Sequence, residues 1–199
     1  MEQFLSEHWL DLTTTLLGLA YIILEYKASI CLWYVAFVMQ ALGIALYYQK
    51  GLYADCGMEM YYIAMTVYGF MTWKFGRKRG QKQKGDLPVT HFKRSLILPW
   101  TAATCAIWGI IYWLLVTYTD SNVPLADSFT TALSFVGMWA LARKYLEQWL
   151  IWIAVDIVTC ILYFYKDIPF KASLYALYIV IAVMGYFRWR KLMHLSAVS

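Results

Sequence analysis

Trp149-Leu150-Ile151-Trp152-Ile153-Ala154-Val155-Asp156 is the stretch on which the fold turns. It lies inside an apolar run from about Gln148 to Tyr165, long enough to cross most of a bilayer, with Asp156 near its middle. A carboxylate at the centre of a membrane helix costs roughly 2.5–3.5 kcal/mol on insertion scales, so such acids face a bundle interior and serve a pathway or a ligand. Positions 149, 152 and 156 are related by steps of three and four, which puts two indoles and one acid on a single helical face. Indole faces attract cations, and a desolvated cation over tryptophan gains on the order of 2 kcal/mol. The face therefore predicts a pocket for a flat, cationic or hydrogen-bonding small molecule. Beside it stands a purely structural alternative: tryptophans mark membrane interfaces, and Asp156 caps a neighbouring helix or pairs with a tyrosine hydroxyl.

With 62% hydrophobic and 15% charged residues among 199, the chain is expected to be an all-α integral membrane protein and not a soluble domain. Met1 to Trp9 carries two acids and a histidine where a cleavable signal would be basic, so the first apolar run is expected to remain as a span. Cys31, Cys56, Cys105 and Cys160 show no CxxC or metal-ligand spacing and are expected as small packing residues; no metal or other cofactor is implied. The net charge of +5 does not point to nucleic acid, because the basic residues cluster where they would mark a cytoplasmic face.

Hydropathy divides the chain into seven runs, at about 9–26, 29–48, 56–75, 95–118, 126–145, 147–165 and 171–190. The connection from Lys74 to Arg94 holds eight lysines and arginines, and Arg143 with Lys144 and Arg188 with Arg190 and Lys191 fall on the same side if the spans alternate. The positive-inside rule then puts the N-terminus outside and the C-terminus in the cytoplasm.

An offset of 116 positions, the separation of Trp33 and Trp149, aligns residues 11–74 with 127–190 without a gap. Asp11, Thr14 and Thr15 meet Asp127, Thr130 and Thr131; Leu46-Tyr47 meets Leu162-Tyr163, Lys50 meets Lys166, Tyr62-Ile63 meets Tyr178-Ile179, Gly69 meets Gly185 and Trp73 meets Trp189. The single transmembrane domain 1–199 thus resolves into a first repeat at about 9–76, a linker with the fourth helix at about 77–120, and a second repeat at about 125–191. Seven alternating spans give both copies the same orientation, a parallel three-plus-one-plus-three design with a site expected near the midplane between repeats. Gln40, the mate of Asp156, would supply a second half-site, with a hydrogen-bonded bridge between helices as its alternative. Glu59, near Tyr61 and Tyr62, is a further candidate, with a wetted helix end as its alternative. Asp11 and Asp127 are expected as N-terminal caps, and Glu25 beside Lys27 and Glu147 near Lys144 as solvated pairs. His8, His91 and His194 fall in terminal or loop regions and are not placed as a proton relay.

A Trp-x-x-Trp-x-x-x-Asn/Asp motif in the sixth of seven helices, on such a repeat, resembles the PnuC family of vitamin transporters, which is similar in fold to SWEET proteins. Gly51-Leu52-Tyr53-Ala54-Asp55, Tyr68-Gly69 and Tyr163-Phe164-Tyr165-Lys166 fit that family as well. The resemblance implies a facilitator in the bacterial inner membrane that binds a vitamin precursor, with Trp149, Trp152 and Asp156 as motif positions and Gln40, Glu59, Tyr62 and Tyr178 as further contacts. It also makes a homotrimer worth testing. The family includes nicotinamide riboside carriers and a PnuT group that carries thiamine. Acids at Asp156 and Glu59, where the nicotinamide riboside type tends to amides, favour thiamine: a carboxylate only accepts hydrogen bonds, which suits the pyrimidine amine and the thiazolium charge. Nicotinamide riboside is the alternative substrate. No Gly-rich phosphate loop appears, so the expected mechanism is facilitated diffusion by rocking of the repeats, with trapping by a cytosolic kinase. Two other classes compete: an intramembrane enzyme using Asp156 and Glu59 as a carboxylate pair, and a binding subunit of an ATP-driven importer.

Overall fold

An apolar chain in a bilayer must satisfy every backbone N–H and C=O internally, and the helix does so within one segment. The computed structural model describes residues 13, 16–49, 53–76, 87–119 and 122–198, with no side-chain description at 53–55 and 196–198. The expected cap at Asp11 and the basic loop 77–86 lie outside the described residues. Among the described residues there are seven helices: α1 (Leu16–Tyr26), α2 (Leu32–Gln49), α3 (Tyr53–Phe75), α4 (Ile97–Tyr118), α5 (Pro124–Ala142), α6 (Gln148–Tyr165) and α7 (Pro169–Val198). A single 3-10 turn, Arg94–Leu96, leads into α4. Five of them, α2 and α4 to α7, are long and apolar enough to cross a membrane. The chain divides into two compact units, one ending at Leu87 and the other starting at Pro88. In the first α2 packs on α3; in the second α6 packs on α5 and α7, and α4 on α5.

The local geometry follows the 116-residue offset closely. α6 begins and ends 116 positions after α2, and α7 begins 116 positions after α3. α1 and α5 end in the same Schellman motif. Ala28 N–H donates to Glu25 O at 2.8 Å and Ser29 N–H to Leu24 O at 2.9 Å; Lys144 N–H donates to Leu141 O at 2.8 Å and Tyr145 N–H to Ala140 O at 3.0 Å. Ala28 and Lys144 take the left-handed conformation this cap requires, with φ of 53° and 57°. Five residues, 27–31 and 143–147, separate each capped helix from the next.

Packing repeats too. In the first unit the Trp33 ring lies on Gly69 of α3 and meets Trp73 edge to face, with centroids 5.4 Å apart at 87°. In the second, Trp149 lies on Gly185 of α7 and meets Trp189 at 5.6 Å and 90°. All four indoles are buried. The rings seat only because the facing residue has no side chain: a Cβ on Gly185 would stand 2.6 Å from Trp149 Cη2.

Residues 88–92 clamp the α5–α6 turn of the second unit. Thr90 N–H donates to Lys144 O and its carbonyl accepts from Leu146 N–H, at 3.2 and 3.0 Å. Trp100, Trp139, Phe92 and Tyr145 form an aromatic cluster beside it, with Trp100 stacked on Trp139 at 3.8 Å.

Several charged residues depart from expectation. Glu25 is buried, within electrostatic reach of Tyr21, and is not a solvated partner of Lys27: the last turn of α1 presents it inward, where the repeat mate Leu141 is also buried. Glu147 instead binds the clamp, accepting from Phe92 N–H at 2.8 Å and pairing with His91 Nδ1 at 2.8 Å, because 88–92 crosses the start of α6. Asp127 is not a cap. Val123 occupies that position and Pro124 follows, leaving Asp127 in the first turn, 3.8 Å from Lys166, where the helix dipole still favours an acid. Cys56 and Cys160 are buried packing residues as expected, whereas Cys31 and Cys105 are exposed.

Overpacking this seat is expected to cost about 1–3 kcal/mol. Gly185→Ala should lower the thermal midpoint in detergent by several degrees, while Gly109→Ala, with open space around its Cβ position, should leave it unchanged or higher. Equal midpoints for the two variants would remove the indole seat as the source of helix–helix stability.

Candidate functional site

The seven residues singled out from sequence fall into two groups, four in the second unit and three in the first. On α6 the expected shared face is divided between two neighbours. Trp149 turns to α7, on Gly185 and Trp189, whereas Trp152 abuts α5, its Cε2 3.3 Å from where a Cβ on Gly137 would stand. The Nε1 atoms of both indoles are buried without a hydrogen-bond partner. Trp33 shares that property and the same seat, so this position packs helices in both units. Trp152 has no such counterpart, because its repeat mate is Ala36.

Asp156 is 8% exposed and makes no hydrogen bond or ion pair among the described residues. It lies within electrostatic reach of Tyr175 and Tyr178 of α7. Those two rings meet edge to face at 5.6 Å, and Tyr175 stacks on Tyr163 of α6 at 5.4 Å and 24°. Lys171 Nζ sits 5.3 Å from the Tyr163 centroid. Tyr175 and Tyr163 escaped selection from sequence. The signal was present, since Tyr175 is the repeat mate of Glu59 and stands three residues before Tyr178.

In the first unit, α3 lays the Glu59 carboxyl against α2 at Gly43, with Cδ and Oε1 2.8 and 2.9 Å from a Cβ position there. Gly43 lies one turn beyond Gln40, whose Oε1 is buried without a hydrogen-bond partner. Tyr62 meets Tyr61 edge to face at 5.6 Å and lies within electrostatic reach of Tyr21. A cavity of about 710 Å³ in the second unit is lined by His91, Arg94, Trp100, Thr104, Glu147 and Ile151 among others, and none of the seven residues borders it. No cluster able to hold a metal ion occurs among the described residues.

Residues 8–191 match the sequence profile of the family described as nicotinamide mononucleotide transporter. The chain belongs to the PnuC family of membrane vitamin transporters. Similar PnuC-family proteins include the nicotinamide riboside transporter PnuC of Escherichia coli (strain K12), 20% identical over 205 residues, covering 91% of this chain and 84% of that protein. The riboflavin/roseoflavin transporter RibM of Streptomyces davaonensis is 25% identical over 184 residues, with the same coverage. The nicotinamide riboside transporter PnuC of Neisseria mucosa is 23% identical over 198 residues, covering 95% of this chain and 74% of that one. In fold the chain is similar to a crystal structure of the vitamin B3 transporter PnuC, with a TM-score of 0.73 at 22% identity over 96% of this chain and 84% of that one. It is a multi-pass carrier, not an enzyme, and the names of these relatives speak of nicotinamide riboside and riboflavin, not thiamine.

An acid buried without compensation weakens a fold. Asp156→Asn should therefore leave the thermal midpoint of the substrate-free protein at or above wild type; a fall of several degrees would mark Asp156 as a structural anchor.

Proposed function

We propose that this chain takes up a flat, cationic nitrogen heteroaromatic vitamin by facilitated diffusion, with Asp156 as counter-charge and Trp152 as stacking surface. The observation that supports this most is the buried carboxylate with no hydrogen bond or ion pair among the described residues, one turn from an indole whose N–H is also unpartnered. A charge held this way is destabilising in the empty carrier and is compensated when a cation arrives, so the site discriminates by charge. Trp149, Tyr175 and Tyr178 support the wall on which Asp156 stands, and Gln40, Glu59 and Tyr62 offer polar groups in the first unit.

Thiamine is the first candidate, because its thiazolium meets the carboxylate and its pyrimidine stacks on indole. Nicotinamide riboside is the second, favoured by the relatives in Escherichia coli and Neisseria mucosa and carrying a pyridinium of its own. Riboflavin, the substrate named for RibM, has no cationic ring and leaves the Asp156 charge unmatched. Accumulation then rests on a cytosolic kinase, since a phosphorylated product is repelled by a buried acid. The basic clusters support an inner-membrane orientation with the C-terminus in the cytoplasm.

Quenching of intrinsic tryptophan fluorescence by thiamine, nicotinamide riboside and riboflavin, titrated separately into detergent-purified protein, tests the substrate class. Saturable quenching by a cation, tightest for thiamine, is expected; tighter binding of riboflavin than of either cation would overturn it. Asp156→Asn should weaken cation binding about tenfold or more, equivalent to ~1.4 kcal/mol, and alter the thiamine to nicotinamide riboside ratio. In proteoliposomes holding only this chain, uptake should stop at equal concentrations on both sides; accumulation against a gradient would exclude a passive carrier.

A further inference from the structure

We propose that Gln148 is a further specificity-determining residue, which reads a paired donor and acceptor on the edge of the substrate; this rests on the cationic heteroaromatic substrate argued above. Gln148 is the first residue of α6 and is fully buried. Both its Oε1 and its Nε2 are buried with no hydrogen-bond partner among the described residues. Leaving a buried amide unmatched is costly, and native proteins keep few such groups without a use for them.

Comparison of the repeats separates this amide from ordinary packing. The repeat mate of Gln148 is Leu32, which is also fully buried, so an apolar side chain fills the equivalent place in the first unit. The second unit departs from that solution by adding a group able to donate and accept. The unpartnered indole N–H of Trp149 carries no such signal, because Trp33 has it too.

Position supplies the second half. Gln148, Trp152 and Asp156 follow one another at steps of four residues along α6, with about 6 Å of rise per step and about 12 Å end to end, Trp152 against α5 and Asp156 beside the tyrosines of α7. Each is polar, and the amide, the Trp152 N–H and the carboxylate all lack a hydrogen-bond partner among the described residues. A primary amide differs from the other two groups: it offers N–H and C=O side by side. Its complement is another adjacent donor and acceptor. The aminopyrimidine of thiamine has an exocyclic amine beside a ring nitrogen, and the carboxamide of nicotinamide riboside has N–H beside C=O. With Gln148 on that edge and the ring over Trp152, the cationic charge is left to Asp156.

The test measures binding of two substrate pairs to wild type, Gln148→Leu and Gln148→Met in detergent. One pair is thiamine and its analogue with an oxo group in place of the amine; the other is nicotinamide riboside and its analogue with a carboxylate in place of the carboxamide. Wild type should prefer the parent of whichever pair it binds. Both variants should fold with unchanged or higher thermal midpoints, as Leu32 foreshadows, should bind the parent about tenfold or more weakly, and should lose the discrimination within the pair. Retained affinity and discrimination in both variants would overturn the assignment to Gln148 and leave the cation site standing. Wild-type protein that binds no cationic heteroaromatic would instead sink the underlying substrate class.

Discussion

An indole laid on a glycine joins α2 to α3 and α6 to α7. Between membrane helices the hydrophobic effect gives little net drive, because lipid is as apolar as a side chain, so close packing has to supply the attraction. Trp33 on Gly69 and Trp149 on Gly185 supply it, and Trp73 and Trp189 close the contact edge to face. The glycine lets a large flat ring approach the facing backbone, and left-handed caps at Ala28 and Lys144 end the helices that precede α2 and α6. Everything α6 presents to its neighbours is registered by that seat.

That register explains why the motif tryptophans differ. Trp149 is spent on the α6–α7 contact, as Trp33 is on the α2–α3 contact, whereas Trp152 replaces the small Ala36 of the first unit and reaches α5 at Gly137. Asp156 then lies beside the tyrosines of α7. Repetition builds the scaffold, and departures from repetition mark the candidate contacts: Gln148 against Leu32, Trp152 against Ala36, Asp156 against Gln40. Each introduces a polar or charged group where its mate is apolar or uncharged, which costs stability in a buried place.

The seven helices were legible because hydropathy over some twenty residues reports an apolar helix directly, although among the described residues five of them are long and apolar enough to cross a membrane, and the offset was legible because glycine and tryptophan recur at one spacing. Charged residues near helix ends were harder to place. Glu25 and Glu147 both stand beside basic residues in sequence, yet one is buried near Tyr21 and the other is held by His91 and Phe92, distant in the chain. Asp127 looked like a cap until Pro124 set the first turn earlier. Tyr175 carried a signal as the repeat mate of Glu59, but its closeness to Asp156, on another helix, is not a local property of the chain.

The sequence by itself determined a helical membrane carrier, its seven apolar runs, its 116-residue repetition and the acid with two indoles on α6, because helical periodicity and the cost of charge in lipid are local properties of the chain. Only the tertiary structure decided which helix each of those indoles abuts, α7 for Trp149 and α5 for Trp152, and that Gln148 is buried without a hydrogen-bond partner among the described residues. Periodicity fixes the face of a helix on which a residue sits; the element packed against that face depends on contacts between distant segments, and those exist only once the helices are seated on one another.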